Sequence, residues 1–478
     1  MDQDLRSIFD ARDRARRARL AFDVYRHLDQ VDVDRITHAA VEAGYAAAED
    51  LARMAVEETG IGKVDSKTVK NRFGTRGLWE AIRDMRTCGI VREDAVTGVT
   101  EIADPFGVVA AIIPTTNPTS TALFKAICCL KSRNAMVASP HPRAQACIRE
   151  SIRVCQEAAE SEGAPKDLLL CMEDVALEGT QALMADRNID LILATGGGGL
   201  VRAAYSSGKP AFGVGPGNVP AYVDRSADVP WAARCLVESQ SFDNSTLCSS
   251  EQVIVCDRPV AARLIDELRG LDAHVCSPDE TAALERLVVQ DGQKNTDIVG
   301  MDPVRIAQLA GFEVPSETPV IVAPYEGVGR GRPLSRETLC PLLAFYVVDG
   351  WEAGCHLCLD VLDQGGRGHT LGLHCEDEEV VRRFALEKPV NRLVVNSPTS
   401  IGAVGFTTRL FPSMTLGCGS FGGNITSDNV GPQHLLNIKR LARVRQDWRD
   451  GKMGTTYDHL SPMEADASGM GVQSPWDA

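Results

Sequence analysis

Between residues 107 and 223 the chain alternates between short runs that are apolar throughout and longer stretches at helical spacing. "GVVAAIIPTT" leads to "NPTSTALFKAICCLKSRN", and "AMVASP" to "RAQACIRESIRVCQEAAESEGAP". "DLLLCMED" leads to "EGTQALMADRN", and "DLILATGG" to "GLVRAAYSSG"; "PAYVDRS" reads as the last strand of the set. A strand without polar alternation has both faces buried, which predicts a parallel sheet with helices on either side. Right-handed crossovers follow from strand twist. The layout is doubly wound α/β, of the kind that binds nucleotides.

Residues 1 to about 60 carry apolar positions at helical spacing and stop at Gly60. Residues 88–103 read as a hairpin turning near "AVTG". After Cys248 the alternation restarts, with "EQVIVC", "PVIVAP", "LAFYVVD", "HTLGLHC" and "NRLVVNSP" as strands of a second α/β domain. The expected division is a cofactor-binding domain over 1–235, including the hairpin, and a catalytic domain over 236–420. Residues 421–478 form a return segment and a polar, Gly/Pro-rich tail expected to be loosely ordered.

A formal net charge of −15 argues against sustained nucleic-acid binding and leaves any anionic cofactor to local donors. No run approaches the ~18 apolar residues of a membrane span. The charged opening "MDQDLRSIFDARDRARRARLAF" lacks the apolar core of a signal peptide. Fifteen cysteines without an export signal fit reduced thiols in the cytoplasm.

A few positions invite chemistry. Cys248 lies between the turn-forming "SFDNST" and the β-prone "EQVIV", at the kind of element boundary where sites gather. Gly196–Gly199 stand between a strand and a helix, where bare backbone and a helix N-terminus suit a phosphate; the plain reading is a flexible turn. Asn117 ends a strand before a helix, and the local sequence favours a helix cap over a donor to a developing oxyanion. His369 opens a strand as a general base, a hydrogen-bond donor, or a loop histidine bonded to backbone. Arg367 either pairs with an anionic substrate tail or is solvated. Cys355 and Cys358 form a C-x-x-C pair without a second ligand pair, so they read as packed thiols. His369, His374 and Cys375 lack a common strand face, and no metal is expected.

Together "KTVKNRF", "SRNAMVASPHPRA", "ILATGGGG", "AAYSSGKPAFGVGPGN", "FDNSTLCSSEQ", "ETLCPLLA", "GHT" and "TLGCGSFGGN" resemble the CoA-acylating branch of the aldehyde dehydrogenases, over roughly residues 30–446. The likeness runs to the aldehyde half of bifunctional aldehyde-alcohol dehydrogenases and to acylating succinate-semialdehyde and sulfoacetaldehyde dehydrogenases. It implies two doubly wound α/β domains with an oligomerisation hairpin. It also implies Cys248 as nucleophile, Asn117 as oxyanion donor rather than a plain cap, and His369 beside the thiol. Thr195, Gly196, Gly197, Gly198, Gly199 and Gly215 match cofactor-binding segments, as do Ser139, His141, Pro142 and Arg143. Glu337 matches the glutamate that contacts the nicotinamide ribose. Hydrolytic members carry a water-activating glutamate where this chain has Val214, which favours acyl transfer to a thiol.

The reaction so implied takes an aldehyde, CoA and NAD or NADP to an acyl-CoA, through a thiohemiacetal and a thioester on Cys248. The thiol pKa must then fall toward ~7. Arg367 replaces the leucine or alanine expected in "Gly-x-Gly-His-Thr", which implies a short aldehyde with an anionic tail, sulfoacetaldehyde first and acetaldehyde second. Arg143 leaves NAD and NADP undivided. The expected partners are the aldehyde and CoA, without nucleic acid or membrane, and a homo-oligomer joined through the hairpin and the C-terminal region. A non-acylating dehydrogenase and a scaffold with a degenerate site remain as alternatives, separated by whether cofactor reduction occurs and whether it needs CoA.

Overall fold

Strands β1 (Gly89–Asp94) and β2 (Val99–Pro105) form the expected hairpin. Asp94 closes its turn by accepting the Val96 and Thr97 N–H groups at 2.9 and 3.1 Å. The computed structural model describes residues 2–444, apart from position 291, together with residue 449. The tail expected over 451–478 lies outside the described residues.

The apolar runs become a parallel sheet of β3 (Val108–Ile113), β4 (Ala135–Pro140), β5 (Leu169–Cys171), β6 (Leu191–Thr195) and β7 (Ala211–Val214), in the order β5-β4-β3-β6-β7. Every residue of β3 and β4 is buried, which accounts for their lack of alternation. Ile112 lies beside Ser139 on one side and Ala194 on the other. The ends of β3, β4 and β6 are therefore level, and Asn117, His141 and Thr195 emerge along one edge. The N-terminal periodicity becomes three helices, Gln3–Tyr25, Gln30–Ala46 and Ala48–Thr59. The last stops at Gly60, whose φ of 68° provides a left-handed cap.

The second sheet contains β8 (Val219–Val223), β9 (Glu251–Asp257) and β10 (His274–Val275). A short pair follows, β11 (Val289–Gln290) with β12 (Gln293–Lys294), and then β13 (Ile321–Pro324), β14 (Leu342–Val348), β15 (Gly368–His374) and β16 (Val390–Val395). The sheet order is β10-β13-β14-β9-β8-β15-β16, and its described pairings are parallel. Here the structure differs from the sequence reading. The "PAYVDRS" strand does not close the first sheet; β8 sits inside the second, and "AFGV" (β7) takes the edge place instead. The glycines of "GVGPGN" thus carry the chain from one sheet to the other, ahead of the expected boundary at 235. Cys355 and Cys358 are buried on the helix Gly350–Leu362, as packed thiols.

Strand β17 (Leu436–Ala442) joins the hairpin in the order β1-β2-β17. Residues 89–104 and 438–444 cluster as a unit of their own. All fifteen cysteines are free thiols. Among the described residues no helix is long and apolar enough to cross a membrane.

Candidate active site

The segment before Cys248 is held in an unusual backbone state. Asp243, Asn244 and Ser245 have φ of 50°, 51° and 61°. A non-glycine residue in this region costs on the order of 1 kcal/mol or more, so three in succession need partners that fix them. The buried Asp243 carboxylate accepts from the Lys63 N–H at 2.7 Å, Lys67 Nζ at 3.0 Å, the Thr246 hydroxyl at 2.5 Å, and Lys70 Nζ. Asn244 donates to the Gly300 carbonyl at 3.1 Å. Lys67 and Lys70 share a face of the helix Val64–Arg72 at a spacing of three. Burial alone would raise the Asp243 carboxyl, but the two lysines outweigh it and hold it low. Burial brings Lys70 down to about 7 against the attraction of Asp243.

Lys70 also organises Asn117. That residue occupies the N-cap position of the helix Pro118–Lys131, yet its side chain does not cap it. Its Oδ1 accepts from Lys70 Nζ, and its Nδ2 donates to the Thr246 carbonyl at 3.0 Å and the Thr116 hydroxyl at 3.2 Å. The amide nitrogen therefore faces the Cys248 loop.

Cys248 is half-buried and opens on a cavity of about 490 Å³, which Asn117, Thr195, Gly196 and Gly197 also line. His141, Arg143, Val214, Gly215 and Glu337 complete its rim together with Lys294. The residues fit a dinucleotide. The Thr195 hydroxyl is buried without a hydrogen-bond partner, and a Cβ added at Gly197 would meet nothing within 4 Å. A ribose or phosphate would find both a donor and room there. Other expected cofactor residues lie elsewhere. Ser139 is buried against Thr180, hydroxyl to hydroxyl at 2.8 Å, and Pro142 and Gly199 do not border the cavity. Gly198 borders a second cavity of about 570 Å³, which Arg367 also lines. Arg367 is half-exposed and paired with Asp363 at 2.5 Å.

His369 is fully buried at the start of β15, with Nε2 3.2 Å from Cys248 Sγ and Nδ1 2.9 Å from the Thr370 hydroxyl. Burial, reinforced by Arg392, brings His369 down to about 3, so the ring is neutral. Burial pushes the Cys248 thiol up to about 12; Glu337 and Cys418 add to this and Arg392 opposes it. Burial thus holds the thiol above the ~7 that the reaction asks for, because a low-dielectric site penalises the anion. Glu337 is itself raised by burial; its Oε1 accepts the Gly217 N–H at 2.9 Å, and its Oε2 lies 3.7 Å from Lys294 Nζ.

Sequence reasoning missed Lys67, Lys70, Asp243, Lys294, Thr370 and Arg392. The lysines of "VDSKTVKNR" look like a solvated helix face, because few apolar residues mark which side is buried. Arg392 left a usable signal: a single charge inside the apolar strand "VNRLVV".

The aldehyde dehydrogenase family model matches residues 7–275, and the chain belongs to that family. It is 40% identical to the bifunctional aldehyde-alcohol dehydrogenase of Escherichia coli strain K12, over 88% of this chain and 48% of that one. The chain thus spans about half the length of such relatives. An acetylating aldehyde dehydrogenase from Geobacillus thermoglucosidasius superposes with a TM-score of 0.92 at 45% identity, covering 93% of this chain and 99% of that one. A propionaldehyde dehydrogenase from Rhodopseudomonas palustris, solved with bound CoA and an acylated cysteine, gives 0.83 at 28% identity, over 91% and 97%. The two doubly wound domains and the hairpin therefore have the architecture of solved acylating members.

Proposed function

We propose that the chain is an NAD(P)-dependent, CoA-acylating dehydrogenase of short aldehydes, with Cys248 as nucleophile, Asn117 as oxyanion donor and His369 beside the sulfur. The observation that carries this reading is shared space: Cys248 opens on the same cavity as the Thr195–Gly197 rim. Thr195, Gly196, Gly197, His141, Arg143 and Glu337 would hold NAD(P), which would supply the hydride acceptor. Attack by the Cys248 sulfur on the aldehyde carbon forms a C–S bond and leaves charge on oxygen. Support for Asn117 as its donor is that Lys70 occupies the amide oxygen and leaves the nitrogen facing the Cys248 loop. Loss of hydride then gives a thioester on Cys248.

Support for CoA as acceptor is Val214, which lines the cavity and cannot take a proton from water. The acylated cysteine and CoA of the Rhodopseudomonas relative agree with it. Attack by the CoA thiolate forms the new C–S bond and releases the Cys248 sulfur.

On substrate, the reading shifts from sulfoacetaldehyde toward acetaldehyde. Arg367 is committed to Asp363 and borders the other cavity. The small space beside Leu247 is walled by Val69, Phe73, Phe242, Ile401 and Val404 together with Lys70, leaving room of about 10 Å³. So little room suits a short aldehyde tail. Oligomerisation through the three-stranded unit draws support from Ile90, Val96 and Leu441, which it exposes at 47, 96 and 40%.

The test is reduced-nicotinamide absorbance with acetaldehyde and with sulfoacetaldehyde, each with and without CoA. Formation should require CoA and favour acetaldehyde, and Cys248→Ala should abolish it. Equal formation without CoA sinks the acylating reading.

A further inference from the structure

Arg392 is a buried cation near the sulfur that the proposed reaction does not use. It is 3% exposed and has no carboxylate within ion-pair distance among the described residues. Its terminal nitrogens donate to the Gly417 carbonyl at 2.6 Å, Asn429 Oδ1 at 3.2 Å and the Ser427 carbonyl at 3.3 Å. Its Nε donates to the Thr370 hydroxyl oxygen at 3.4 Å. A guanidinium has no acceptor atom, so Thr370 can only accept from it. The hydroxyl hydrogen then needs an acceptor of its own. Among the described contacts the one other partner of that oxygen is His369 Nδ1, at 2.9 Å. Nδ1 therefore presents a lone pair, and the ring proton resides on Nε2, facing Cys248 Sγ at 3.2 Å.

We infer that Arg392 and Thr370 are positioning residues that hold His369 as the Nε2–H tautomer, so that His369 donates a hydrogen bond to the Cys248 sulfur rather than taking its proton. The inference deepens the reading above and rests on Cys248 as the nucleophile. A second observation agrees with it. His369 is brought down to about 3, and so weak a base gains little from a thiol pushed up to about 12. The S–H proton instead leaves through the open cavity to water, and the sulfur keeps the electron pair. Of the groups that face Cys248, Glu337 and Cys418 oppose its ionisation, while Arg392 and Lys70 favour it. His369 adds a directed donor to that second set, without a net charge. Hydrogen bonds to charged groups are roughly twice as strong as neutral ones, so the donor matters most once the thiolate forms.

The test needs no turnover. Alkylation of Cys248 by iodoacetamide, followed on its own peptide by mass spectrometry at fixed pH, reports the thiolate fraction. Thr370→Val, which keeps the shape and removes the hydroxyl, should slow alkylation by about tenfold, and Thr370→Ser should restore it. Nitrogen-15 histidine spectra of the unaltered chain, assigned with His369→Gln, should show protonated Nε2 and bare Nδ1 at His369. A protonated Nδ1, or alkylation of Thr370→Val as fast as wild type, overturns the inference, and the spectrum decides even if that variant fails to fold. Failure of the broader reading shows differently, as turnover that survives in Cys248→Ala.

Discussion

Two sets of glycines near the cleft serve opposite ends. In the run after Thr195, a Cβ added at Gly197, Gly198 or Gly199 would meet nothing within 4 Å. On the sulfur side, a Cβ at Gly217 would lie 2.2 Å from the Cys248 carbonyl oxygen, and one at Gly368 1.8 Å from that of Cys418. Gly368 also has a φ of 77°, which an L side chain rarely adopts. The first set leaves open space; the second is bare because the protein already fills it. Glycine in a sequence does not announce which of these it means.

Three substitutions can break or sharpen that contrast. The largest effect belongs to the crowded side: Asn117→Ala should lower kcat by ~10²–10³, with cofactor affinity nearly unchanged. A loss confined to KM would show that Asn117 only binds. Next, Gly217→Ala should cost about 3 kcal/mol of stability, because its Cβ collides with backbone rather than with a movable side chain. The midpoint of denaturant unfolding measures it, and an unchanged midpoint would dissolve the distinction between the sets. The smallest effect belongs to the open side. Gly197→Ala should change stability by no more than about 0.5 kcal/mol while weakening cofactor binding. A markedly lower melting temperature there would mean that the rim, too, is packed by the protein.

Much of the fold was legible because burial on both faces leaves its mark on composition. Strands β3, β4 and β6 follow the quoted apolar runs closely. The assignment of Val219–Val223 failed for a physical reason: a fully buried strand reads the same whichever sheet it enters. "AFGV" was overlooked because glycines and a proline surround it. At the site, His369 lies against the Cys248 sulfur and Asn117 lines the same cavity. Their supports were not legible in the sequence. Whether Lys67 and Lys70 face water or Asp243 depends on a contact 173 to 176 residues away in the chain, and no local pattern encodes it.

The burial around Cys248 has a consequence for durability. Peroxides and electrophiles consume thiolates far faster than thiols. A sulfur pushed up to about 12 offers them little thiolate to attack. The same burial that makes ionisation costly therefore shields the sulfur from damage.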